Sequence, residues 1–264
     1  MRNSFQRCAA RIVLSIPLAA FSIAPVSASP ILGGAGAFAI LGGGGVAING
    51  TGSVITGSVG AYPTTSITGV ITTNYTIFDG TVQSGGATAS GAQSDLTTAI
   101  TALSGVTPAT SESTLNGITL TPGYYSIGAL TLTGTLTLNA EGNSNALWVF
   151  LESSTLTTAS GSDVTVINDG SGAGIGVYWV MTTSATLGAG DSGSTFYGNV
   201  LANQSISLTG TGGVTDSCGS LLTTTASVTL AGGDTIGTGC QGGGTLNGTT
   251  ITPYASSVPE PFRE

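Results

Sequence analysis

From residue 31 to about residue 252 the chain is a succession of short runs in which Thr or Ser alternates with Leu, Ile or Val, separated by Gly, Asn and Asp. Thr131-Leu132-Thr133, Thr135-Leu136-Thr137-Leu138, Ser205-Ile206-Ser207-Leu208 and Ser227-Val228-Thr229-Leu230 are examples. A period of two is the signature of half-buried strands, so the aliphatic residues are expected to face a core and the hydroxyl residues to face out. The runs recur without a strict sequence period. Two architectures suit many short strands joined by glycine turns: a Greek-key sandwich, or a solenoid whose coils stack in parallel register. The 43 glycines favour the solenoid, because they make tight corners easily and small aliphatic side chains can fill a narrow coil.

One segment breaks the pattern. Over residues 87–104, Leu96, Ala99, Ile100 and Leu103 fall at i, i+3, i+4 and i+7, the apolar stripe of a helix. Ser90 with Gln93 forms a candidate capping box, and Gly105 followed by Pro108 predicts the end. A lone amphipathic helix in a β chain is expected to lay its stripe on an exposed flank of the sheet body, a partner-binding role being the weaker alternative.

Composition then narrows the chemistry. Residues 1–28 read as a secretory signal, with Arg2, Arg7 and Arg11 at a basic start, an apolar stretch broken by Pro17 and Pro25, and Val26-Ser27-Ala28 for cleavage. That stretch is shorter than the ~20 residues of a membrane span, so the mature chain, from Ser29, is expected to be extracellular without a spanning segment. Export takes Cys8 away and leaves Cys218 and Cys240 as a pair in an oxidising compartment. A Cys218–Cys240 disulfide is expected, a metal-bound pair being the weaker alternative without a histidine or third cysteine.

Past residue 28 there is no lysine or histidine, and twelve carboxylates face the single Arg263. Nucleic acid and anionic membrane surfaces both require a positive patch; they are poor partners, and no nucleic acid is expected to bind. Catalysis is equally ill served, since acid–base and nucleophilic mechanisms draw on histidine, lysine or paired carboxylates. Asp163, Asp169, Asp191, Asp216 and Asp234 stand singly, as turn formers do, and Glu141 with Glu152 is the one pair to weigh. The glycine–aspartate stretches Gly232-Gly233-Asp234 and Gly188-Ala189-Gly190-Asp191 do not recur at the spacing of calcium turns. No enzyme activity, cofactor or metal is expected. Trp148, Phe150, Tyr178 and Trp179 are read as core or helix-packing residues rather than a sugar platform.

Several stretches together resemble a known family. Leu41-Gly42, the turn Gly57-Ser58-Val59-Gly60, the helix, and Leu115-Asn116-Gly117-Ile118-Thr119-Leu120-Thr121-Pro122-Gly123-Tyr124-Tyr125 occur in that order. Residues 130–150, 154–166, 176–187 and 197–208 continue the series. The chain is similar to the secreted ice-binding-like β-solenoid family of microbes over nearly its whole mature length. The resemblance implies an all-β-dominated fold, an irregular right-handed parallel β-helix of triangular cross-section with one long α-helix alongside, and N-terminal coils inserted out of sequence order. Many relatives carry a cysteine before the equivalent of Tyr178-Trp179, where this chain has Ala173-Gly174-Ile175. The expected domain runs over residues 29–252.

The resemblance also implies a function, binding of ice by a flat, weakly charged face. Such a face needs no titratable group. Strands stacked ~4.7–4.9 Å apart would array outward Thr and Ser in a grid, and threonine is stiff at χ1, which lowers the ordering cost on contact. The candidate ice-binding residues are Thr155, Thr157, Ser184, Thr186, Ser205, Ser207, Ser227 and Thr229, with some expected to fall on a wrong face. The expected partner is an ice crystal surface, met by a monomer; extracellular polysaccharide is the second partner class, under the alternative reading of a matrix or adhesin-like protein of the same fold. Residues 253–264 are expected to form a flexible tail, whose Val258-Pro259-Glu260-Pro261 resembles the opening of a bacterial Pro-Glu-Pro sorting signal.

Overall fold

The computed structural model describes residues 29–69, 75–170, 174–190, 193–210, 212–216 and 218–257. The signal segment with its cleavage site, Asp191 and the Pro-Glu-Pro motif lie outside them.

The alternating runs form strands, and each complete coil gives one strand to each of three parallel sheets. From Gly123–Ile127 the chain passes through Leu130–Leu132 and Thr135–Asn139, then repeats the circuit through Leu147–Glu152, Leu156–Ala159 and Asp163–Ile167. Three more coils follow, ending at Thr235–Gly237. The result is a nine-stranded, a seven-stranded and an eight-stranded sheet, visited in that order in each complete coil; Val82–Ser84 adds a strand to the first alone, and Thr110–Glu112 with Thr119–Leu120 add strands to the first and third. The solenoid is thereby selected over the sandwich.

Sequence order and spatial order part at the N-terminus. Phe38–Gly42 pairs with Leu221–Thr223, so the coils of residues 38–84 stack beyond the last C-terminal coil. Val82–Ser84 then lies at one edge of the nine-stranded sheet and Thr110–Glu112 at the other. The helix Gly86–Ser104 crosses between them. Nine strands span about 38 Å; nineteen helical residues cover about 28 Å, and the flanking loops supply the rest.

The helix stripe is buried as expected. Ala92, Leu96, Ala99, Ile100 and Leu103 pack on Leu41, Val149, Tyr178, Val180, Leu201 and Leu222 of the nine-stranded sheet. Its start differs from the expected capping box: Gly85 is the N-cap and no side chain caps it. Gln93 is instead turned inward, where its Nε2 donates to the Thr223 carbonyl at 3.0 Å. A buried amide left unpartnered beneath the helix would cost more than a surface cap returns.

Inside the coils the inward residues stack in columns. Tyr125, Phe150 and Trp179 share one register position. Ring centroids are 5.5 Å apart for the first pair and 4.1 Å for the second, and Phe196 closes the far side 5.2 Å from Trp179. Trp148 is also interior, while Tyr178 lies under the helix. None of the four aromatics weighed earlier is exposed.

Corners are tight enough to demand glycine. At Gly43 a Cβ would lie 2.1 Å from the Thr224 carbonyl oxygen, and at Gly50, with φ +73°, 2.1 Å from that of Ala231. The expected disulfide is present, joining Cys218 to Cys240 across 22 residues. A loop of that size is worth about 3 kcal/mol through restriction of the unfolded chain. The solenoid is followed by the hairpin Gly244–Asn247 with Thr250–Pro253, to which Ser29–Pro30 adds a third antiparallel strand. Past the hairpin, which Pro253 closes, Ala255 and Ser257 are hydrogen-bonded to residues 143–145.

Candidate functional site

Thr157, Thr186, Ser207, Ser227 and Thr229 lie in strands of the seven-stranded sheet, and Thr155, Ser184 and Ser205 each stand one residue ahead of a strand of that sheet. Thr131, Thr157, Thr186, Ser207, Thr229, Ala47 and Thr68 are successive partners across its seven strands. Six steps of a parallel sheet give a row about 28 Å long. Two residues before the first-row members come Thr155, Ser184 and Ser205, each just ahead of its strand, and Ser227, which pairs with Gly45. The second row lies about 6.6 Å from the first along the strands.

Residues on either side of the first row point inward and are buried: Leu156, Ala185, Ile206, Val228 and Val46 before it, and Leu187, Leu208, Leu230 and Ile48 after it. The alternation read from sequence therefore sets which side chains face out. The hydroxyl residues are half-buried in the middle of the face and exposed at its edges, at Thr131 and Thr68. Close lateral packing restricts them further: Ser205 Oγ donates to Ser184 Oγ at 3.1 Å, and the Thr155 and Thr183 hydroxyls are 3.0 Å apart. One irregularity interrupts the grid where register shifts between Thr157 and Ala159. There Thr158 turns inward and accepts a 2.8 Å hydrogen bond from the Gly188 N–H. The bulge is satisfied internally and leaves Thr157 and Thr186 paired.

The three sheets differ in what they offer solvent. The nine-stranded sheet is covered by the helix. The eight-stranded sheet also carries outward threonines, Thr195 and Thr215, but the same row includes the Asp163 carboxylate, and Ile167 at the other end of the Asp163 strand is 42% exposed. No strand of the seven-stranded sheet contains a charged residue. Among the described residues, hollows lie beside Tyr124 and Tyr254, beside Asp95 and Leu246, beside Glu141 and Ser256, and beside Val106 at the helix end, none of them lined by a strand residue of this sheet.

Carboxylates serve the framework. Asp234, expected as a simple turn former, is fully buried and ties two corners together, its oxygens accepting from the N–H of Val214 at 2.9 Å and of Gly232 at 3.2 Å. Asp216 lies within the strand Val214–Asp216 rather than in a turn, and burial pushes its carboxyl well above the usual range, offset in part by the nearby Gly198 and Cys218 amides. Glu141 and Glu152 are no catalytic pair. Glu141 is exposed in the loop before Leu147–Glu152, whereas Glu152 closes that strand facing inward. Among the described residues no three His, Cys, Asp or Glu side chains converge on a point.

Glu152 has a measurable consequence. It is 3% exposed, one oxygen accepts a 3.3 Å hydrogen bond from the Ser154 N–H, and burial pushes its pKa up to about 7 against that bond. The folded state thus holds a proton that the unfolded chain releases near 4.5. Stability from this group is present at low pH and is lost as pH rises from about 4.5 to about 7, a change on the order of 3 kcal/mol. Glu152→Gln should remove that part of the slope, so that denaturation midpoints of variant and parent diverge at pH 8 and converge at pH 4. An unchanged slope would show the carboxylate to be solvated.

Sequence reasoning missed Thr131, Ala47 and Thr68 as members of the row. Thr131 belongs to a run with the same alternation as its neighbours. Ala47 and Thr68 come from the N-terminal coils, whose place beside Thr229 follows from pairing between segments some 180 residues apart.

The fold has known counterparts. The family model described as ice-binding-like matches residues 40–236. A curated ice-binding protein from Nostoc sp. (strain HG1) is 41% identical over 157 residues, 58% of this chain and 55% of the relative, so the match spans about half that relative's length. The crystal structure of an ice binding protein from an Antarctic biological consortium superposes with a TM-score of 0.69 at 32% identity, covering 81% of this chain and 92% of its own. That of an ice-binding protein from the Antarctic ascomycete Antarctomyces psychrotrophicus gives 0.68 at 32% identity, over 78% and 97%. On the extent of these matches and the shared solenoid, the chain belongs to the ice-binding-like family.

Proposed function

We propose that this protein is a secreted, non-enzymatic monomer that adsorbs to ice through its seven-stranded face and restrains crystal growth or recrystallisation. The observation that carries the reading is the charge-free row of hydroxyl and methyl groups from Thr131 to Thr68. Backbone hydrogen bonds hold its spacing and branched side chains hold its orientation, so water can be ordered on it at little conformational cost. Related proteins named for ice binding share the solenoid, which in this reading is right-handed and triangular in cross-section, with Thr155, Thr157, Ser184, Thr186, Ser205, Ser207, Ser227 and Thr229 in contact with ice. No cofactor or metal takes part. Thermal hysteresis and recrystallisation inhibition measured on the mature chain test this: both should exceed those of an inert protein at equal concentration, and activity at the inert level would refute it.

The second reading is a matrix or adhesin-like protein of the same fold that holds extracellular polysaccharide, favoured by the Pro-Glu-Pro motif at Val258-Pro259-Glu260-Pro261. Cell fractionation with polysaccharide pull-down separates the two.

A further inference from the structure

After Thr235–Gly237 the chain leaves the circuit and runs along one corner of the solenoid, the corner where each eight-stranded-sheet strand turns into the next nine-stranded-sheet strand. It is fastened there at every coil it crosses. Cys240 is bonded to Cys218, in the turn before Leu221–Thr223. At the next coil, Asn199 Nδ2 donates to the carbonyls of Cys240 at 2.8 Å and Gly239 at 3.3 Å. One coil further, the Tyr178 hydroxyl donates to the carbonyls of Gln241 at 2.5 Å and Gly242 at 3.1 Å, while the Gly242 N–H donates to Ile175 O at 2.9 Å. The hairpin intervenes, and the chain then returns to the same corner. Asn145 Nδ2 donates to Ala255 O at 3.0 Å. The N–H and hydroxyl of Ser257 donate to Asn143 Oδ1 at 3.0 and 3.1 Å, and the Ser144 N–H donates to Ser257 Oγ at 2.8 Å.

Such repeated fastening is more than a trailing terminus needs, because end residues normally fray unless tied down. The corner used is the only one of the three that the seven-stranded sheet does not border. From these two facts we infer that residues 240–257 are an anchoring strap: whatever is joined beyond Ser257 leaves from the side opposite the hydroxyl face, so a protein held by its C-terminus presents that face outward. The outward-facing consequence has value only if the face acts on ice, as proposed above; the strap and its geometry stand without it.

The tests therefore use no ice. In amide hydrogen exchange on the full chain, Ser144 and Ser257 should be protected, and Asn143→Ala should speed their exchange by about tenfold while leaving core amides unchanged. Free exchange of Ser257 in the parent protein overturns the strap. For orientation, the chain carrying a C-terminal biotin-acceptor peptide is bound densely to a streptavidin surface, and single cysteines are labelled with a large maleimide polymer. Thr186→Cys on the hydroxyl face should react at its solution rate, whereas Glu141→Cys beside the strap should slow several-fold. Equal slowing at both positions, or slowing at Thr186→Cys alone, overturns the inference. A chain inactive on ice that passes both tests would refute the function proposed above and leave the strap intact.

Discussion

Thr186→Tyr is expected to abolish ice adsorption while moving the melting temperature by no more than about 1–2 °C. Thr186 stands inside the row, between Thr157 and Ser207, on the straight stretch of the sheet adjoining the bulge. A phenol ring there projects well past its neighbours. Ice, unlike a protein partner, cannot repack around a protrusion, so one raised side chain separates the neighbouring positions from the crystal as well. The cost to the fold is small, because only an outward methyl and hydroxyl are replaced and surface substitutions usually shift stability by ~0.5 kcal/mol or less. Thr215→Tyr on the eight-stranded sheet is the matched control and should keep full activity. Thermal hysteresis with a melting curve on each variant decides the matter. Full activity in Thr186→Tyr with loss in Thr215→Tyr would move the site to the other sheet.

What the sequence discloses about this face follows from what sets each feature. Alternation is local, so Thr157, Thr186, Ser207 and Thr229 could each be read as outward residues of a strand from two neighbours on either side. Membership of a common face is a matter of stacking order. For the coils from residue 130 to residue 230 the stacking follows the chain, and the eight candidates drawn from that stretch lie in, or one residue ahead of, strands of one sheet. It fails at Ala47 and Thr68, whose strands are placed by pairing with the far end of the chain. The topology implied by the family resemblance supplies what periodicity cannot.

Polar residues in the interior were the least legible. Gln93 looked like a capping residue and Asp216 like a turn former, because small and polar residues beside serine or glycine carry those meanings locally. Both are turned inward by tertiary context: Gln93 toward a corner carbonyl, Asp216 into a strand whose alternate residues face the core. The Cys218–Cys240 bond was legible from the parity of cysteines in an exported chain. Its use, holding the chain's exit to a corner, required the path of residues 238–243.

Trp179→Ala should have the opposite profile to Thr186→Tyr, a large loss of stability with activity retained while the protein is folded. The indole is sandwiched between Phe150 and Phe196, is 2% exposed, and donates from Nε1 to the Tyr197 carbonyl at 3.0 Å. Truncation leaves a cavity within the column, for which large-to-small aromatic substitutions cost about 3–5 kcal/mol, and it orphans the Tyr197 carbonyl for about 1 kcal/mol more. At about 2–4 °C per kcal/mol for a domain of this size, the melting temperature should fall by roughly 10 °C or more. Trp179→Phe keeps the ring stack and loses only the donor, and should cost a fraction of that. The hydroxyl row is held by interstrand hydrogen bonds of the seven-stranded sheet and by Ala185, Ile206 and Val228 beneath it, not by the indole, so adsorption measured near the freezing point should persist in both variants. If Trp179→Ala loses ice activity while its circular dichroism and melting curve show it fully folded at that temperature, the flatness of the face depends on the packing of the whole coil, and the spacing of the row cannot be assigned to the backbone ladder alone.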